Sequence, residues 1–189
     1  KIIERLSEKN NISVEKLNLI FKAKKEKLNK NLSFPGVSLA SLYDPEKHGE
    51  DFSEFLYSFK YDGMRAWWCT QRNSLFTRNN KQIFIPESWK KELTRINVSF
   101  DGELYVGTGK DNFRKTMSIC RRTVNLRHDE WVCVSFMVFD IIEDNKIYTK
   151  RYSKMKKTIS DCHPFLKIVK HLTLSKSSNI IEKHDKAVR

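Results

Sequence analysis

The sequence predicts an α+β domain built on antiparallel sheets, and three observations carry that reading. Short runs rich in β-branched and aromatic residues alternate along the chain with stretches of helical period. Turn signals, Asp62-Gly63 and Arg72-Asn73 among them, stand between neighbouring strand candidates, as short antiparallel connections require. With 189 residues, the chain is long enough to bury one real core.

Taken in order, residues 1–33 read as a basic helical extension and residues 34–189 as the domain proper. Ser13 is placed to cap a helix, and Leu17, Ile20, Phe21 and Leu28 approximate one helical face. The run Lys22 to Lys27 is a solvated helix face or, on the sharper reading, a contact to a nucleic-acid backbone. Phe34-Pro35-Gly36 ends the extension. Val37 to Leu42 is a short strand, and Tyr43 to Asp51 is a loop with Pro45 and Gly49. Phe55-Leu56-Tyr57 and Ala66-Trp67-Trp68 flank Asp62-Gly63 as the two arms of a hairpin. Arg72-Asn73 turns the chain into a strand from Ser74 to Arg78. Pro86 opens a helix through Trp89 to about Arg95. Val98 to Val106 alternates apolar and polar residues around Asp101-Gly102, a second turn signal. Asp111 is a candidate cap for a helix to about Arg121. Trp131 to Ile142 is an interior strand, Tyr152 to Asp161 a basic helix and Phe165 to Leu172 a further strand. Ser175 caps a last helix.

The formal net charge is +13. A balance this basic favours a polyanion partner such as nucleic acid, against the plain alternative of a lysine-rich composition. Cys69, Cys120, Cys133 and Cys162 lie far apart with no C-x-x-C pair, so zinc spacing is absent. They read as thiols in a reducing, intracellular compartment that the sequence does not specify. No apolar run approaches the length of a membrane span. A monomer is expected.

The chemistry concentrates in Lys60-x-Asp62-Gly63-x-Arg65. A turn at Asp62-Gly63 brings the Lys60 amine beside the Arg65 guanidinium. A fixed cation disfavours protonation of a neighbouring amine and makes it a better nucleophile near neutral pH. The arginine fork also suits a phosphate. Glu103 sits in an otherwise apolar strand, where a carboxylate needs a partner or a metal.

Lys60-x-Asp62-Gly63-x-Arg65 resembles motif I of the covalent nucleotidyltransferases, the superfamily of ATP-dependent DNA ligases and messenger-RNA capping enzymes. Phe100-Asp101-Gly102-Glu103-Leu104 resembles their motif III, and Phe136-Met137-Val138-Phe139-Asp140-Ile141 their motif IIIa. Thr77-Arg78-Asn79-Asn80 is similar to the Ser-Arg-x-Gly motif, with Asn80 in place of glycine. All four stand in the family order. Leu39-Ala40, Tyr43-Asp44-Pro45 and the stretch from Asn112 to Arg122 resemble the minimal ATP-dependent DNA ligases in particular.

The resemblance implies an adenylation domain of ATP-grasp-like architecture. It implies that Lys60 attacks the α-phosphate of ATP and carries AMP as a phosphoramide. Nucleotide-binding roles fall on Phe59, Arg65, Arg78, Glu103 and Phe139, with Phe139 stacking on adenine. Glu103 is the implied magnesium ligand, and Asp101 is expected only to make a turn. Arg78 and the helix bearing Arg114, Lys115, Arg121 and Arg122 are the implied contacts to nicked duplex DNA. The implied function is nick sealing in repair, replication and recombination. The alternatives are a capping guanylyltransferase and an inactive nucleic-acid-binding fragment. Beyond Leu174 the sequence resembles neither motif IV nor motif V. It is therefore expected to be a fragment or truncation of a ligase, unable to seal DNA and adenylating itself very slowly or not at all.

Overall fold

The computed structural model describes residues 13–16, 19, 55–124, 127–143, 146–159 and 163–173. The chain divides into two units, residues 1–39 and 40–189. In the first, residues 14–16 are helical. The Ser13 hydroxyl accepts the Lys16 backbone N–H at 3.3 Å, which is the expected cap. The strand expected at residues 37–42, the loop at 43–51, the face formed by Leu17, Ile20, Phe21 and Leu28, Cys162 and the helix after Ser175 lie outside the described residues.

In the second unit the chain runs through β1 (Leu56–Tyr57), β2 (Met64–Cys69), β3 (Ser74–Thr77), β4 (Gln82–Ile83) and α1 (Glu87–Leu93). It continues through β5 (Phe100–Tyr105), α2 (Lys110–Cys120), β6 (Ser135–Ile141), α3 (Tyr148–Ile159), β7 (Leu166–Ile168) and β8 (Leu172–Thr173). Six strands make one sheet in the order β4-β3-β2-β5-β6-β7, and β1 pairs with β8 in a separate ribbon. Every neighbouring pair is antiparallel except β6 and β7, which run parallel. That parallel pair is joined through α3, the crossover that parallel strands need.

Strand alternation gives the large sheet two unlike faces. Met64, Ala66, Trp68, Phe100, Leu104, Phe136, Val138 and Ile141 point to one face and form the core with Trp89 and Leu93 of α1, Ile119 and Cys120 of α2, and Met155 and Ile159 of α3. Each helix contributes apolar residues at i, i+4 or i, i+1 spacing, so its apolar stripe is what holds it down. Aromatic stacking fills the end of this layer: Trp89 lies 3.9 Å from Phe165, with the rings 8° apart, and meets Trp131 edge-on. The opposite face carries Arg65, Trp67, Phe76, Asp101 and Glu103.

Several expectations hold. Asn73 turns the chain in the left-handed conformation (φ 46°) between β2 and β3. Pro86 immediately precedes α1, whose Glu87 and Lys90–Lys91 agree with the helix dipole.

Others are corrected. The arms around Asp62-Gly63 are not a hairpin: β1 pairs with β8, whereas β2 pairs with β3 and β5. Gly63 has no positive φ, so the turn that would join such arms is absent. Asp101-Gly102 is likewise no turn but the middle of β5, beside a bulge. The N-cap of α2 is Gly109, at φ +94°, and Asp111 lies in the first turn. Trp131 belongs to a 3₁₀ turn, His128–Cys133, not to the following strand. Val132, 89% exposed, breaks the alternation there. Helix α3 starts at Tyr148, one turn earlier than the sequence suggests. The single strand expected from Phe165 to Leu172 is two short strands in different sheets.

Candidate functional site

The polar face of the central sheet collects the motif residues through strand register alone. Arg65 lies opposite Glu103, and Trp67 opposite Asp101, across β2 and β5. On β6, Asp140 pairs with Asp101 and Val138 with Gly102, so Phe139 is an extra residue between them. This bulge lets Phe139 and Asp140 both face the site while Ile141 returns to the core. The Arg65 guanidinium lies 5.4 Å from the centroid of the Phe139 ring.

Two carboxylate–guanidinium pairs flank that ring. Arg65 Nη2 donates to Asp101 Oδ2 at 2.7 Å and its Nε to Oδ1 at 3.3 Å. Arg151 Nε and Nη2 donate to the two oxygens of Asp140 at 2.9 and 2.8 Å. Asp101 is 3% exposed. Burial pushes its carboxyl upward and the Arg65 fork pulls it back, while Asp101 in turn raises Arg65. Asp101 is therefore the residue whose role the sequence reading missed. It sets where Arg65 points. The signal was available in the charge pattern, because an aspartate on an interior strand needs a cation.

Glu103 accepts the Gly63 backbone N–H at 3.2 Å. Burial raises its pKa to about 7, against the downward pull of Gly63 N–H, Lys60 and Arg65. A bonded Gly63 also explains the glycine: a Cβ there would lie 2.0 Å from the Leu104 carbonyl oxygen. Lys60 is exposed three residues earlier in the chain, near enough to favour the charged form of Glu103. Phe59, 49% exposed, packs its ring 6.2 Å from that of Tyr57. The sequence reading set Arg65 beside Lys60 in a hairpin turn. The partner found for Arg65 is instead Asp101, on the neighbouring strand.

Lys60, Arg65, Glu103 and Phe139 thus belong to one region, with an amine, a fork, a carboxylate of adjustable charge and an aromatic ring. That set suits a purine nucleotide with its phosphates. Among the described residues no three His, Cys, Asp or Glu side chains group as a ligand set. Glu103 can still serve magnesium, which takes one or two carboxylates and completes its shell with phosphate oxygens and water.

A second feature adjoins the site. A cleft of about 840 Å³ runs between the β3–β4 turn and the end of α2, over the start of β2. Arg78, Lys81, Arg121 and Arg122 line it, and no carboxylate does. Asn80, in the glycine position of its motif, has φ 59°, a conformation asparagine tolerates better than most residues. Arg122 is ion-paired to Glu130 at 2.7 Å. Arg114 and Lys115 are exposed on α2 outside the cleft lining, and Arg114 lies 3.7 Å from Asp111. The DNA contacts expected together therefore separate into a cleft group and an outer helix pair.

Cys69, Cys120 and Cys133 are free thiols. Among the described residues no helix is long and apolar enough to cross a membrane.

The sequence model of the ATP dependent DNA ligase domain matches residues 38–189. Among solved structures, the chain is similar to a Lig E DNA ligase, described as binding DNA with a minimal scaffold. The two are 28% identical with a TM-score of 0.68, over 80% of this chain and 56% of that one. It shares its fold with Chlorella virus DNA ligase-adenylate, at 22% identity and a TM-score of 0.53, over 79% of this chain and 54% of that one. The chain thus spans just over half the length of these two relatives. A comparison with curated proteins finds no match.

Proposed function

This chain belongs to the ATP-dependent DNA ligase domain family, and from that premise we propose that it carries the nucleotide-transfer site of an enzyme that seals nicks in duplex DNA. The observation that supports this best is the convergence of Arg65, Glu103 and Phe139 on one sheet face next to Lys60.

Lys60 is the nucleophile. Deprotonated Nζ attacks the α-phosphorus of ATP, a P–N bond forms, the bond to the bridging oxygen breaks and pyrophosphate leaves. An oxygen of the 5′-phosphate at the nick then attacks the same phosphorus and frees the lysine. Finally the 3′-hydroxyl attacks the activated 5′-phosphate, closes the strand and releases AMP. Phe139 stacks on the adenine, Arg65 holds the ribose or a phosphate, and Glu103 engages the ribose and the metal. Glu103 would hold magnesium, and the chemistry supplied there would be neutralisation of charge on the phosphates. Most of the rate comes from such positioning and fixed charge. The basic cleft, led by Arg78 and Arg121, is the surface for the DNA backbone.

Incubated with labelled ATP and magnesium, the chain is expected to take up a lysine-linked label very slowly, with none from GTP. Lys60→Arg keeps the charge but not a nucleophile, since a guanidinium stays protonated. A normal yield of adduct in that variant rules out Lys60. Label from GTP alone points to a capping guanylyltransferase. Binding to nicked duplex without an adduct from either nucleotide points to a DNA-binding domain without catalysis.

A further inference from the structure

We infer that Tyr148 and Arg151, in the first turn of α3, are positioning residues that hold the β6 bulge and thereby fix Phe139 for the nucleobase. The inference rests on the reading of Phe139 as the stacking ring.

A bulge frees backbone groups that the ladder would otherwise pair, and it persists only where they find other partners. The extra residue here is Phe139. Its carbonyl accepts the Tyr148 hydroxyl at 2.8 Å. That hydroxyl has one proton, and the bond to Phe139 uses it. His171 Nε2, 2.5 Å from the same oxygen, must therefore be the donor, so the tyrosine is held from both sides. The neighbouring Val138 carbonyl is taken by Val169 N–H at 2.7 Å.

Arg151 holds the other bulged residue. Its bidentate grip on Asp140 is braced by the Tyr148 ring, whose centroid lies 5.4 Å from the guanidinium. Asp140 stands directly across from Asp101. Each carboxylate has its own arginine, and Arg65 stays with Asp101 above Phe139. One helical turn thus holds both bulged residues, and with them the ring, although neither α3 residue belongs to a motif strand.

The test separates base-dependent binding from phosphate binding. Titrations of the full chain with ATP and with tripolyphosphate, which has no base, are compared for the wild type, Tyr148→Phe and Arg151→Lys. Both variants are expected to weaken ATP roughly tenfold, a loss of about one good hydrogen bond. Tripolyphosphate affinity and the maximal rate of adduct formation should stay within about twofold. Arg151→Lys retains charge and bulk, so it carries the test if Tyr148→Phe does not fold. Equal weakening of both ligands, or no change in either, overturns the inference. A wild-type chain that binds no adenine nucleotide overturns the functional reading itself, and this inference with it.

Discussion

Glu103 faces two opposed demands. Its carboxylate is useful to a ribose or a cation only when charged, yet burial raises its pKa from 4.5 to about 7. Binding that needs the ionised form should therefore strengthen as pH rises through about 7. Adduct formation at subsaturating ATP, followed from about pH 6 to pH 8, should increase across that window, and a flat profile refutes the assignment. Stability should move the other way. The folded carboxyl holds its proton more tightly than the unfolded one, so its contribution is fully present below pH 4.5 and lost as pH rises through about 7. Glu103→Gln removes that loss. The variant is expected to be more stable than the wild type by about 1–3 kcal/mol at pH 8 and no more stable near pH 4. Urea denaturation at the two pH values measures the difference.

At the level of elements, the two glycines of the motifs explain what the sequence revealed and what it hid. Lys60 and Arg65 stand out by their spacing in one short stretch and Glu103 by its charge in an apolar strand, whereas Phe139 is singled out by the motif resemblance alone. The partners of β2 could not be picked out, because Asp-Gly reads as a turn whether the glycine is needed for a positive φ or for close approach. Here approach decides. A Cβ on Gly102 would sit 2.5 Å from the Met137 carbonyl oxygen and 2.7 Å from the Phe136 ring. Gly102→Ala is therefore expected to destabilise the fold by about 1–3 kcal/mol or more, since backbone rather than a flexible side chain must yield. A chemical-denaturation midpoint equal to that of the wild type contradicts this account. The start of β6 was hidden for another reason. Trp131 to Val134 has the composition of a strand, and only tertiary packing of Trp131 on Trp89 separates its 3₁₀ turn from β6. The bulge at Phe139 left no mark in the local pattern, because one extra residue changes register without changing composition.

For the whole molecule, the +13 charge becomes a statement about place. Binding to nicked duplex should weaken steeply with salt. Arg78→Ala and Arg121→Ala, both in the cleft, should each reduce the salt slope by about one. Arg122→Ala should reduce it less, because Glu130 already neutralises that side chain. Equal effects from all three, measured by titration at several salt concentrations, show that the cleft does not discriminate among its cations. The ribbon of β1 and β8 has a different consequence, in time rather than in space. Its two residue pairs, Leu56 with Thr173 and Tyr57 with Leu172, close a loop of more than a hundred residues. Such closure is entropically unfavourable and returns few contacts. Folding should complete the six-stranded sheet before the ribbon forms, and native-state opening should begin there. Lys60 lies between the ribbon and β2, so the segment bearing the proposed nucleophile is moored last and released first. Amide exchange at the ribbon residues should then run ahead of exchange in β2 and β5, well below the threshold for global unfolding.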